Sequence, residues 1–206
     1  WLQENVPAIV EAWEPGSFGG QAVAEILFGL VNPSGKLPLT VARSVGQLQQ
    51  FYNHKPSVGF HKYAFEKMQP LYPFGYGLSY TNFQMGTPKV SGTLQSDTSE
   101  LKVTVSLKNT GKRAGAQVVQ LYIRDAVSSA TRPVKELKGY QRVFLEAGAS
   151  KTVVFILKAE DLAFYDIDMH YCVEPGVFKI MTGTSSDDKN LQQTTVEVAH
   201  RIDLQL

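Results

Sequence analysis

"LKVTVSLKNTG", Leu101 to Gly111, decides the fold. Leu101, Val103, Val105 and Leu107 take every second position, with Lys102, Thr104, Ser106 and Lys108 between them. Successive side chains on a strand point to opposite faces, so this alternation predicts a strand with one apolar and one wet face. "NTG" then supplies a turn. Outward from it, Val119, Leu121 and Ile123 alternate again, and "KGYQRVFL" (138–145), "KTVVFILK" (151–158), "YCV" (171–173), "GVFKIM" (176–181) and "TTVEVA" (194–199) continue the series. Turn signals recur roughly every 8–15 residues, the pattern of an antiparallel β-sandwich. It begins near Phe83 and lacks the Cys…Trp…Cys core of antibody domains, so a fibronectin type III-like sandwich fits better.

Before Phe83 the pattern differs. "VPAIVEAW" (6–13) is a short apolar run, followed by the Pro- and Gly-rich loop "EPGSFGG" (14–20). In "QAVAEILFGLV" (21–31), Ala22, Ile26, Leu27 and Leu30 share one helical face, and Pro33 and Gly35 of "NPSG" stop the helix. "KLPLTVA" (36–42) returns as an extended segment. Strand, loop, helix and strand predict one βαβ unit of a parallel sheet. From Arg43 to Thr81 no period is visible, but aromatics are dense, including Phe51, Tyr52, Phe60, Tyr72, Phe74 and Tyr76. A disordered linker would leave that much apolar surface in water, so the segment reads as an ordered strap packed on something.

Composition excludes several functions. Of 206 residues, 20 are Lys or Arg and 19 are Asp or Glu, for a net charge of +1. So even a balance argues against a nucleic-acid binder and against electrostatic attachment to a membrane. No apolar run approaches the roughly 20 residues of a spanning helix. The single cysteine, Cys172, excludes an internal disulfide and reads as a small packed hydrophobe. His54, His61, His170 and His200 show no ligand spacing that builds a tetrahedral site, so neither metal nor other cofactor is expected. Gly19-Gly20 opens a helix but lacks any phosphate-loop pattern, and close packing explains it better. The opening "WLQENVPAIVEAW" has neither Met nor a basic leader, and the chain is expected to be a fragment of a longer polypeptide.

An ordered set of motifs then carries a resemblance. "NPSGKLPLT" (32–40), "RSVGQ" (43–47), "YNHKPS" (52–57), "PLYPFGYGLSYTNF" (70–83), "LKNTG" (107–111), "VVQLYIRD" (118–125), "RPVKELKGY" (132–140), "DLAFYD" (161–166) and "EPGVF" (174–178) resemble the C-terminal part of glycoside hydrolase family 3. The resemblance covers nearly the whole chain and is nearest to bacterial β-glucosidases and β-xylosidases that end in a fibronectin type III-like domain. It implies α/β plus all-β architecture, in three parts: residues 1–42 as the end of an α/β sandwich domain, 43–82 as an inter-domain strap, and 83–206 as the β-sandwich. Upstream partners would be a barrel and the rest of the α/β domain.

The same resemblance implies where chemistry lies. The nucleophilic Asp and the acid/base Glu would both lie upstream, so no catalytic residue is expected in this chain. The substrate would be a β-linked gluco- or xylo-oligosaccharide, and the compartment periplasmic or extracellular. Glucoside and xyloside remain open alternatives, as does a non-catalytic carbohydrate-binding or adhesion module. Ligands in open α/β sheets collect beyond the strands' carboxyl ends, which makes Trp13 and Glu14 candidates for the rim of an inter-domain cleft; the preferred reading has Trp13 packed on the barrel and Glu14 as a solvated loop charge. Ser17-Phe18 stand where the family commonly has Glu or Gln-Glu, a departure that puts a polar role for that loop in doubt. His61, Lys62, Tyr63 and Phe65 read either as a sugar-stacking edge or, preferably, as packing of the strap. Tyr72, Phe74, Tyr76 and Tyr80 are expected to staple domains together. Four such rings bury on the order of 150–250 Å² each, and at about 25 cal/mol per Å² they contribute over 10 kcal/mol gross before entropy is subtracted.

Overall fold

The computed structural model describes residues 1–47, 50–56 and 67–205. Strands dominate. Short helix α1 (Leu2–Asn5) and helix α2 (Gly19–Leu27) precede β1 (Phe83–Met85), β2 (Lys89–Ser91), β3 (Glu100–Asn109), β4 (Gly115–Asp125), β5 (Glu136–Leu145) and β6 (Ser150–Lys158). A turn of helix, α3 (Ala159–Leu162), leads to β7 (Phe164–Tyr165), β8 (Tyr171–Val173), β9 (Gly176–Gly183), β10 (Leu191–Val198) and β11 (Ile202–Asp203).

Two antiparallel sheets face each other. In the first, β3 pairs β6 along one edge and β1 and β2 in succession along the other. The second runs in the order β10-β9-β4-β5, with a bulge where Leu121 faces Gly139 and Tyr122 faces Leu137. A small sheet, β11-β8-β7, closes one side. The period-two alternation of β3 and β6 turns Leu101, Val103, Val105 and Leu107 inward against Val119, Leu121, Ile123, Phe178 and Ile180, and this is the core. At about 25 cal/mol per Å², removing those inward side chains from water is what drives the two sheets together.

β4 departs from the alternation: both its faces are buried. Val119, Leu121 and Ile123 face the core, while Gln120 and Tyr122, on the opposite face, are 3% and 0% exposed. The strap covers them. Tyr52 stacks on Phe74 with ring centroids 4.3 Å apart and meets Tyr122 edge-on at 5.8 Å. An outer sheet face that two polar-tipped side chains would ordinarily leave wet is thereby made a second, smaller core.

Helix α2 forms within the expected segment but stops at Leu27, before Pro33 and Gly35, because Gly29 at φ +72° closes a Schellman turn in which Leu30 N–H donates to the Glu25 carbonyl and Gly29 N–H to that of Ile26. The two strands of the expected βαβ unit differ from the reading. Among the described residues, 6–13 pair with nothing as a strand, because a parallel strand needs neighbours on a sheet that this stretch of chain does not supply. Leu37–Val41 is extended but bonds antiparallel to the strap. Leu37 N–H meets the Tyr76 carbonyl at 2.8 Å, Gly75 N–H the Leu37 carbonyl at 2.8 Å, and Val41 bridges Tyr72. The overall α/β plus β-sandwich class stands.

Candidate functional site

The functional features of this chain are a fastened strap and an uncovered apolar face. The strap is fastened by its backbone. Gly75, at φ +78°, brings its carbonyl to the Gln120 side chain, whose Nε2 donates 3.1 Å bonds to the carbonyls of Gly75 and Thr184. Gln120 Oε1 accepts the Tyr122 hydroxyl at 2.5 Å, so the buried amide is satisfied at both ends. Burial, followed by the neighbouring Tyr52, pushes the Tyr122 phenol up, so it stays a donor. Next along the strap, the Phe74 carbonyl accepts from Ser186 N–H at 2.9 Å. Lys36 reaches beneath it to the Gly77 carbonyl at 2.7 Å, and burial draws its ammonium down to about 8.

Asn32 joins three parts of the chain at one side chain. Its Oδ1 accepts from Ser79 Oγ at 2.9 Å and Tyr80 N–H at 2.8 Å, and its Nδ2 donates to the Ala114 carbonyl at 3.0 Å, just before β4. The Tyr80 hydroxyl donates to the Ile26 carbonyl in the last turn of α2 at 2.8 Å. Ser34 Oγ accepts from Arg142 Nε of β5 at 3.0 Å. Of the four rings read as a staple, Tyr72 and Tyr76 stack on each other at 5.3 Å, Phe74 stacks on Tyr52, and Tyr80 acts through its hydroxyl. Tyr52 and Asn32, which complete the fastening, were named in motifs but given no role; a polar residue at a helix stop followed by a distant aromatic run is too weak a signal to assign one.

The uncovered face lies on the first 42 residues. Trp13, Phe18, Leu27, Phe28 and Leu30 are 58%, 79%, 65%, 83% and 78% exposed, while among the described residues no buried hydrophobic residue precedes Leu94. Leu27 and Leu30 of the predicted face are thus uncovered, Leu30 lying beyond the end of α2, while Ile26 is half-buried. Trp13 sits at φ +48°, a left-handed conformation uncommon for a bulky residue, with its N–H bonded to Glu11 Oε1 at 3.1 Å. Glu14 beside it is exposed. Among the described residues, no ring contact joins Trp13 to the aromatics of the strap. His61, Lys62, Tyr63 and Phe65 lie outside the described residues.

Two charged clusters complete the picture. Buried Arg132 donates to the Leu162 carbonyl at 2.7 Å and to Glu136 at 2.9 Å, lies 3.4 Å from Asp125, and covers the Phe164 ring at 4.7 Å. Burial pushes the Asp125 carboxyl up, and Arg132 pulls it back. In the β7–β8 turn, Asp166, Asp168 and His170 place one potential ligand atom each within 4.8 Å, a D-x-D-x-H spacing the sequence reading passed over. The turn itself uses the Asp166 carboxylate. Asp166 Oδ1 accepts the N–H groups of Asp168 and His170 at 2.9 Å, and Oδ2 accepts Arg201 at 2.8 Å. The His170 amide, with help from Arg201, holds the Asp166 carboxyl down to about 2. A guanidinium already compensates the charge a cation would need, so these residues fit a turn lock better than a metal centre. Cys172 is buried, and burial raises its thiol.

Residues 1–80 match the glycosyl hydrolase family 3 C-terminal domain and residues 117–186 the fibronectin type III-like domain. The chain is 42% identical over 193 residues to a periplasmic β-glucosidase of Salmonella typhimurium, covering 89% of this chain and 25% of that one. It is 42% identical over 201 residues to a β-xylosidase of Formosa agariphila, covering 96% and 28%. A β-glucosidase structure from Erythrobacter marinus superposes with a TM-score of 0.90 at 49% identity, covering 96% of this chain and 26% of that one. The chain thus spans about a quarter of the length of the relatives it matches.

Proposed function

Because the chain belongs to glycoside hydrolase family 3 through its C-terminal domains, we propose that it is the bracing portion of an exo-acting retaining β-glycosidase. Residues 1–42 complete an α/β sandwich domain, residues 43–82 tie it down, and residues 83–206 form the brace. The observation that carries this reading is the uncovered apolar face of residues 1–42 on a segment otherwise fixed to the sandwich by Asn32, Ser34 and Tyr80. Burying a large apolar side chain is worth about 1.5–3 kcal/mol, so Trp13, Phe18, Leu27, Phe28 and Leu30 together offer roughly 10 kcal/mol to a docking domain.

In the full-length protein the reaction is double displacement at a terminal non-reducing β-D-glucosyl residue. An Asp nucleophile and a Glu acid/base, roughly 5–5.5 Å apart, stand on the upstream domains. This chain supplies no catalytic carboxylate; Trp13 and Glu14 line the cleft rim, and Tyr72, Phe74, Tyr76 and Tyr80 form the staple. No metal or other cofactor enters. The periplasmic relative supports a periplasmic or secreted enzyme. A β-xylosidase is the second reading, favoured by the equal 42% identity to relatives of both names. The test is hydrolysis of aryl β-glucoside and β-xyloside by the full-length polypeptide and by residues 1–206. Turnover by the full-length protein alone is expected, with kcat/KM ranking the two sugars. Turnover by the 206-residue chain overturns the bracing role. Inactivity of the full-length protein on both substrates favours a non-catalytic carbohydrate-binding module.

A further inference from the structure

The small sheet carries a groove that the bracing role does not use. It has a volume of about 290 Å³ and is lined by Tyr165, Met169, His170, Tyr171, Asp203 and Leu204. That is near the lower limit of small-molecule sites, about 300 Å³. Tyr165 and Tyr171 lie 5.1 Å apart between centroids, tilted by 43°, and Tyr165 is 45% exposed. Two polar side chains share the groove: His170, 67% exposed, and Asp203, 71% exposed, whose Oδ1 takes the Arg201 bond and whose Oδ2 is a second acceptor.

The groove is built on a turn that is held rigid. Met169 has φ +63°, a conformation a bulky side chain keeps only when its surroundings impose it. They do: Asp166 accepts the N–H groups of Asp168 and His170, its own N–H meets the His170 carbonyl at 3.0 Å, and Arg201 pins the carboxylate. A preordered surface with exposed aromatic faces, an imidazole and a carboxylate loses little entropy when a ring-shaped polyol stacks on it. Pyranose rings are such ligands: their axial C–H faces are apolar and stack on aromatic rings, and their equatorial hydroxyls donate to carboxylates.

We propose that this groove is a surface subsite for one pyranose ring of a β-linked polysaccharide, with Tyr165 as the stacking platform and His170 and Asp203 bonding the hydroxyls. The platform stands on these contacts, and the choice of a β-linked polysaccharide as its ligand rests on the glycosidase reading above. The experiment is native electrophoresis of the full-length protein through gels containing soluble xylan, mixed-linkage β-glucan or no polysaccharide. Wild type and Tyr165→Phe are expected to be retarded by at least one polymer, the effective polymer identifying the sugar. Tyr165→Ala is expected to bind roughly tenfold more weakly, about the loss of one ring contact. Met169→Lys, at a position 71% exposed and outside the core, is expected to lose retardation by placing a hydrated charge in the groove. Absence of retardation in every gel overturns the proposal, as does retardation that survives in both Tyr165→Ala and Met169→Lys. Aryl glycoside hydrolysis on the same wild-type sample reports separately on the function proposed above.

Discussion

Replacing Gly75 with alanine tests how the strap is fastened to the sandwich. Gly75 holds φ +78°, where a Cβ costs about 1–2 kcal/mol. A Cβ there would also meet Gln120 Oε1 at 2.3 Å and Nε2 at 2.7 Å. Gln120 has nowhere to yield without releasing the Gly75 and Thr184 carbonyls or the Tyr122 hydroxyl, all bonded in a buried setting. One such group left unpaired costs about 1–3 kcal/mol. The sum is about 2–5 kcal/mol. Gly148 provides the control: its φ is +77°, but no atom lies within 4 Å of its would-be Cβ. Gly148→Ala therefore carries the backbone strain alone. Urea unfolding of both variants at unchanged m-value reads the difference, expected at about 1–3 kcal/mol, which at roughly 2–4 °C per kcal/mol is also visible in Tm. If Gly75→Ala costs no more than Gly148→Ala, the strap is not held by Gln120 and the reasoning fails.

Three further outcomes follow from the charged groups. Asp166, held down to about 2 against 3.8 unfolded, stabilises the fold fully above about pH 4 and loses that contribution as pH falls through about 2. The stability gap between wild type and Asp166→Asn, read from urea midpoints, is therefore flat from pH 7 to 5 and closes between pH 4 and 2; a gap independent of pH contradicts the assignment. Lys36 moves the other way, since burial draws its ammonium from 10.5 down to about 8. The folded state binds fewer protons between those values, so the stability of wild type relative to Lys36→Met rises from pH 8 to 10.5 and is constant below 8. Arg132→Ala strands Asp125 in the interior and is expected to cost about 3–5 kcal/mol in thermal or urea unfolding, with Arg132→Lys recovering little because one ammonium cannot span Leu162, Glu136 and Asp125. Recovery to wild type by Lys would show that charge alone matters there.

The sandwich was legible because β3 and β6 are wetted on one face only, so alternation in the residues maps directly onto alternation in space. β4 was legible on its inner face alone. Gln120 and Tyr122 read as a wet face because nothing local says that a strap some 45 residues earlier will cover them; the cover depends on Gly75 and Tyr52, which no period connects to β4. For the described part of the strap, the packing of Tyr52, Tyr72, Phe74 and Tyr76 was legible from their aromatic character, which water would not tolerate exposed, but their partners were not. Val6–Trp13 reads as a strand from its apolar run, yet a strand is made by its neighbours, and among the described residues it has none. Leu37–Val41 is extended as read but finds its bonds in Tyr72 and Tyr76. The turn lock at Asp166 and the groove beside it were missed because an Asx-type turn and a ligand cluster share one spacing, and only Arg201, 35 residues away, decides between them.

The most direct measurement is hydrogen exchange of residues 1–42 in the full-length protein and in the 206-residue chain. A brace whose uncovered face docks on an upstream domain predicts that the amides around Trp13, Phe18 and Leu27–Leu30 are protected only in the full-length protein, while β3, β4 and β9 exchange alike in both. Equal exchange around Trp13 and α2 in the two samples would contradict it.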